Sequence, residues 1–133
     1  MVILSFDVGS KRTGVAVYDD RIEIVLSLTT IKHASPEELL AEVQTLVAAR
    51  GATLVVLGLP LLPSGDRGKQ AESIDALATA LRGTVEVALF DERYTTNHRA
   101  PVDPDAASAC EILRTYLASE HSKASTKRPR KRT

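Results

Sequence analysis

The sequence predicts one α/β domain built on a mixed five-stranded sheet, an antiparallel three-strand meander followed by parallel strands, with helices flanking it. Three observations carry that expectation. A chain of 133 residues can bury one sizeable core and is too short for two. Apolar residues run at strand spacing through Ile31, then helix-period stretches alternate with short apolar runs, the pattern of strand–helix units. Turn and cap residues stand at each change of pattern.

The first apolar run, Val2 to Phe6, lacks strict alternation and so reads as a strand buried on both faces, the middle of the sheet. It ends at Asp7, and Gly9 to Arg12 joins it to a hairpin partner, Thr13 to Tyr18. Asp19-Asp20 turns the chain into a third strand over Ile22 to Ile31. Ser35-Pro36-Glu37-Glu38 is a helix start: Ser at the N-cap, Pro at the first helical position, Glu38 closing a capping box. Leu39, Leu40, Val43, Leu46 and Val47 supply its apolar face, and Gly51 its stop. Thr53 to Leu59 reads as a second central, parallel strand, and 60–68 as a loop. Lys69 to Arg82 is a helix with Ala71, Ile74, Leu77, Ala78 and Leu81 on one face, and Val85 to Phe90 is the fifth strand. Asp103-Pro104-Asp105 opens a last helix whose stripe is Ala106, Ala109, Cys110, Leu113 and Leu117. From Ser119 the chain turns polar and basic. The domain is expected over 1–120 and a basic disordered tail over 121–133.

Seventeen basic and seventeen acidic residues cancel, but six of the basic ones lie at or after Lys123, where no acidic residue occurs. An acidic body therefore carries a basic arm, suited to salt-sensitive, sequence-independent contact with phosphates. Lone Cys110 excludes an intramolecular disulfide and fits a reducing compartment. No apolar run has the ~18 residues of a membrane span, and the N-terminus lacks the basic region of a signal peptide. The expected address is the cytoplasm, with no membrane partner.

Three carboxylates fall in comparable places: Asp7 at the end of strand one, Glu92 within Asp91-Glu92-Arg93 at the end of strand five, and Asp105 in the first turn of the last helix. In open α/β sheets ligands gather beyond the carboxyl ends of the strands. Carboxylates converging there would repel one another unless a cation neutralised them, and their oxygens are the ligands Mg²⁺ and Mn²⁺ prefer. Taken singly, Asp105 also suits a helix N-terminus electrostatically, and Glu92 suits a surface pair with Arg93.

Four stretches in series resemble the motifs of the YqgF/RuvX family: Asp7-Val8-Gly9-Ser10-Lys11-Arg12-Thr13-Gly14, then Leu57-Gly58-Leu59-Pro60-Leu61 with Gly65, then Asp91-Glu92-Arg93-Tyr94-Thr95-Thr96, then Asp105-Ala106-Ala107-Ser108-Ala109. The resemblance covers residues 1 to about 118 in order. It implies the RNase H-like fold, a kinship with the Holliday junction resolvase RuvC, and a nuclease acting on the 5′ end of the pre-16S ribosomal RNA precursor. It also implies a catalytic, metal-holding set of Asp7, Glu92 and Asp105, with Mg²⁺ or Mn²⁺ as cofactor. Lys11, Arg12, Arg93, Thr95 and Thr96 are then the expected substrate-binding residues, and structured RNA or branched DNA the expected partner. RuvC-like resolvases act as dimers, so a homodimer is open, although no stretch announces an interface. The family usually has a longer, often basic segment before the last helix, where this chain has only Tyr94 to Pro104. Loop 62–68 follows the family wording loosely.

Two other classes fit parts of the pattern. A non-catalytic nucleic-acid-binding factor would use the same basic residues, though five aromatic residues in all argue against readout by base stacking. Asp-x-Gly-Ser before a hairpin also resembles the phosphate loop of actin-like and sugar kinases, which need two lobes where this chain supplies one.

Overall fold

The computed structural model describes residues 1–59, 68–91 and 109–120. Its centre is β1 (Val2–Val8), and the sheet order is β3-β2-β1-β4-β5. β2 (Arg12–Asp19) runs antiparallel to β1 with Val2 opposite Asp19 and Asp7 opposite Gly14. β3 (Ile24–Lys32) completes the meander at the sheet edge. On the other side of β1, β4 (Leu54–Leu59) is parallel with Phe6 beside Leu57, and β5 (Glu86–Asp91) is parallel to β4 with Asp91 beside Leu59. The expected meander followed by parallel strands is therefore present.

Strand alternation divides the core into two layers. Leu4 and Phe6 of β1 pack with Val15 and Val17 of β2, with Val55 and Leu57 of β4, and with the helices α1 (Pro36–Arg50) and α2 (Lys69–Leu81). Ile3 faces the other way, with Ala16, Val56 and the helical residues 109–120. Phe6, Ile3, Leu4 and Leu57 are fully buried, each stabilising the fold by roughly 1.5–3 kcal/mol relative to exposure. A strand with helices on both faces has no solvent side, which is why β1 reads as a continuous apolar run.

The helix signals act as the residue types predict. Ser35 Oγ accepts the Glu38 N–H at 3.2 Å, and Gly51 ends α1 at φ 64°, ψ 37°, the left-handed conformation in which glycine has no Cβ penalty. The capping box expected at Glu38 is the exception: its carboxylate reaches past the N-cap and accepts the Ala34 N–H at 2.8 Å instead of that of Ser35. All five residues expected on the inner face of α2 are buried. Among the described residues no helix is long and apolar enough to cross a membrane.

Several boundaries shift by a residue or two, β1 running on to Val8 and β5 spanning Glu86–Asp91, and two of the shifts have a visible cause. β3 starts at Ile24 rather than Ile22, because residues 20–23 are consumed by the turn. The Asp19 carbonyl accepts from the N–H groups of Ile22 and Glu23, its carboxylate accepts from the Arg21 N–H and guanidinium, and Glu23 takes φ 56°. Ser119 and Glu120, expected to open the polar remainder, are helical. Tyr116 anchors that end of the helix, its ring edge-to-face with Phe90 at 6.2 Å between centroids. The tail 121–133, the loop 60–67 and the start of the last helix lie outside the described residues.

Candidate active site

Asp7 is the penultimate residue of the central strand, at the end where β4 and β5 also finish. Alternation from Ile3 and Ser5 assigns its side chain to the face covered by the helical residues 109–120. Ser5 is buried there, and its Oγ donates to the Ala109 carbonyl at 2.7 Å. The last helix is thus tied to β1 two positions before Asp7. The residue directly opposite Asp7 is Gly14 and the one opposite Ser5 is Ala16, both buried. Small cross-strand partners leave room around a half-buried carboxylate that a larger neighbour would fill. Beyond Gly14 the β2–β3 register shifts between Thr13 and Val15, an irregularity of the kind that re-aims side chains beside sites.

The turn after Asp7 is held from three sides. Gly9 N–H donates to the Arg12 carbonyl at 2.9 Å across the hairpin. A Cβ at Gly9 would lie 2.5 Å from that same carbonyl oxygen, so glycine is required by close approach. His33 lies under the turn: its N–H donates to the Lys11 carbonyl at 3.0 Å, and its Nε2 shares a 2.9 Å hydrogen bond with Thr13 Oγ1. From α2, Gln70 Nε2 donates to the Val8 carbonyl at 2.7 Å. The result is a fixed loop presenting Lys11 and Arg12 to solvent. Arg12 is the first residue of β2 rather than a turn residue.

Of the expected site residues, Asp7, Lys11 and Arg12 are brought to one end of the sheet. Glu92, Arg93, Thr95, Thr96 and Asp105 lie outside the described residues. Among the described residues no group of three or more His, Cys, Asp or Glu side chains could hold a metal ion. Asp91, the neighbour of Glu92, follows Val87 and Leu89 by alternation and so faces the α1/α2 layer, opposite to Asp7. Sequence reasoning missed Ser5, His33 and Gln70 as residues that position the site. Only the pairing of Arg12 with Lys32 brings His33 beneath the turn, and no local pattern signals that.

The family model described as RuvX, Holliday junction resolvase, matches residues 1–119. A Chloroflexus aurantiacus protein named "Putative pre-16S rRNA nuclease" is 39% identical over 140 residues, covering 91% of this chain and 89% of the relative. A Chloroflexus aggregans protein of the same name is 47% identical over 98 residues, covering 71% and 68%. Among solved structures, Thermus thermophilus RuvC superposes with a TM-score of 0.67 at 13% identity, covering 92% of this chain and 97% of RuvC. The same enzyme in complex with a Holliday junction substrate gives 0.63 at 15% identity, covering 88% and 92%. At such identity the likeness establishes the fold, the RNase H-like one.

Proposed function

The chain belongs to the RuvX family, and we propose that it is a cytoplasmic nuclease hydrolysing phosphodiester bonds at the 5′ end of the pre-16S ribosomal RNA precursor. The observation that carries this reading is Asp7. It is a half-buried carboxylate at the carboxyl end of the central strand, opposite a glycine, on the face where the last helix is tied down.

Chain connectivity supports Glu92 and Asp105 as its partners. Glu92 directly follows Asp91, and Phe90 belongs to the layer on Asp7's face. Asp105 is four residues before Ala109, whose carbonyl is bonded to Ser5, so its backbone is within about 15 Å of that point at full extension. Three carboxylates offer the hard oxygen donors that suit Mg²⁺ or Mn²⁺, and Asp7, Glu92 and Asp105 would hold the ion. Such an ion, when bound, supplies a nucleophilic water at neutral pH and neutralises charge developing on the phosphate. Lys11 and Arg12 would hold flanking phosphates from the hairpin turn, with Arg93, Thr95 and Thr96 adding contacts. The basic residues from Lys123 onward would add non-specific affinity. Deletion of 123–133 should then weaken binding and flatten its salt dependence.

A second reading, cleavage of branched DNA, is favoured by the description of the matching family model. The test compares pre-16S leader RNA, single-stranded RNA and a four-way DNA junction, each end-labelled, with Mg²⁺ or Mn²⁺, using wild type and Asp7→Asn. Cleavage of the leader RNA by wild type alone is expected; cleavage of the junction alone would favour the second reading. Binding without cleavage of any substrate would refute the enzyme and leave a nucleic-acid-binding factor.

A further inference from the structure

The β2–β3 ladder changes phase once, and it does so level with Asp7. Val15 pairs with Leu28, but Thr13 pairs with Ile31. Gly14, the residue opposite Asp7, is the single β2 residue between those pairs, and Thr29 and Thr30 together stand against it. Two residues against one make a β-bulge on β3, which bends an edge strand and re-aims the side chains beyond it. The effect can be followed in the core. Leu28 packs against the α1/α2 layer, and so does Ile31 three residues on. Strict alternation would instead send Ile31 to the other face and Lys32 into that layer. The bulge keeps Ile31 in the core and turns Lys32 to the face of Asp7.

Arg12 reaches the same face by a separate route. It lies two residues from Gly14 along β2, and Gly14 is the cross-strand partner of Asp7. Arg12 and Lys32 are then directly opposite one another, and both are exposed. The helical residues 109–120 pack against Ala16 and Tyr18, further from the turn. Like charges directly opposite each other weaken a sheet, so the fold itself gains nothing from this juxtaposition. An anion between them reverses its sign. Lys11, exposed on the adjoining turn, adds a third cation. Residues 1–122 hold eleven basic residues against seventeen acidic, yet three of the eleven stand together here. Glu37 and Glu38, the acidic residues nearest to Lys32 along the chain, belong to α1 and so to the opposite face.

Resting on the nucleic-acid reading above and deepening it, we propose that Lys32 and Arg12 form a phosphate-binding pair for the strand flanking the cleaved bond. That strand leaves Asp7 over β2 toward the β3 edge. Neighbouring strands lie about 4.8 Å apart and residues advance about 3.4 Å, so the Lys32 Cα, two strands and two residues away, is about 12 Å from that of Asp7. The phosphate held there is roughly two to four nucleotides from the one at Asp7. Arg12 offers a planar fork to two phosphate oxygens, and Lys32 a point charge. Contacts of this kind fix the position of the backbone and carry no base information. Lys32 is thereby a substrate contact outside the Lys11–Arg12 turn, and the bulge is the device that supplies it.

The test uses full-length protein in EDTA, which prevents cleavage, and a 5′-dye-labelled segment of pre-16S leader RNA, with anisotropy followed over a series of NaCl concentrations. Lys32→Ala should weaken binding about fivefold near physiological salt and lower the slope of log affinity against log salt by about 0.7, the share of one phosphate contact. Lys32→Arg should restore both. Arg50→Ala, at the far end of α1, should change neither. Replacing single phosphates by methylphosphonates should weaken wild type at one or two positions and leave Lys32→Ala unaffected there. Circular dichroism confirms that each variant is folded. Lys32→Ala with wild-type affinity and slope, while Lys11→Ala binds more weakly, overturns this inference alone; so do methylphosphonate losses that add to that of Lys32→Ala at every position. Absence of any binding by wild type overturns the nucleic-acid reading with it. Lysine also guards sheet edges against pairing: a Lys32→Ala protein that self-associates in size-exclusion chromatography yet binds RNA normally would overturn the phosphate role in favour of that one.

Discussion

Substituting Gly9 by alanine tests how the site's turn is built. The added Cβ would stand 2.5 Å from the Arg12 carbonyl oxygen, a backbone atom with no flexible end to yield. Restoring an ordinary C···O separation of about 3.3 Å requires the two strands to part by about 0.8 Å. That carbonyl also accepts the Gly9 N–H at 2.9 Å, so the same movement stretches the bond beyond useful length. Loss of the bond costs about 0.5–1.5 kcal/mol and residual backbone strain about 1–3 kcal/mol. Alanine's stiffer unfolded chain offsets about 0.4–1 kcal/mol. A net destabilisation of about 2 kcal/mol should appear in urea unfolding, with a melting temperature lowered by roughly 7 °C. Gly83→Ala is the control: nothing lies within 4 Å of its Cβ position and its φ is not left-handed. It should leave stability unchanged or raise it by up to about 1 kcal/mol. Because Lys11 rides on the distorted turn, Gly9→Ala should also weaken RNA binding. A Gly9→Ala protein as stable as wild type would show that the hairpin relaxes freely and that close approach is not why glycine stands there.

Removing the Ser5 hydroxyl (Ser5→Ala) breaks the 2.7 Å bond to the Ala109 carbonyl; about 1 kcal/mol of stability should be lost, read by urea unfolding. Cleavage should fall too if the start of the last helix depends on that tie. Asp19 should titrate near pH 2 rather than 3.8, because its carboxylate is hydrogen-bonded first of all by the Arg21 side chain. Since its folded pKa lies below its unfolded one, the pair's contribution is full above about pH 4 and is lost as pH falls through about 2. Carboxyl chemical shifts against pH check this, and Arg21→Ala should bring the midpoint back toward 3.8. Burial pushes the Cys110 thiol up, outweighing the opposing effect of Arg114. A thiol reagent at neutral pH should therefore label it only as fast as the protein unfolds.

Local sequence was sufficient for features whose cause is local. Ser35, Pro36 and Gly51 delimit α1 because caps act over a few residues. The inner face of α2 was legible from helical spacing, and β1 from an unbroken apolar run that only a doubly covered strand can carry. The start of β3 was not legible: Ile22 continues the apolar pattern, and only the hydrogen bonds converging on Asp19 take it into the turn. Nor was the helical end at Ser119 and Glu120, where a contact between Tyr116 and Phe90, distant in sequence, outweighs a polar composition. Asp7 was identifiable as a candidate from its position after the first strand. Its setting was decided by strand register, which brings Gly14 opposite it, Ala109 onto its face and His33 beneath its turn. Residue type and spacing act along the chain and can be read from it. Register and layer packing join residues as far apart as 104 positions, and which of them meet is settled only when the whole core closes.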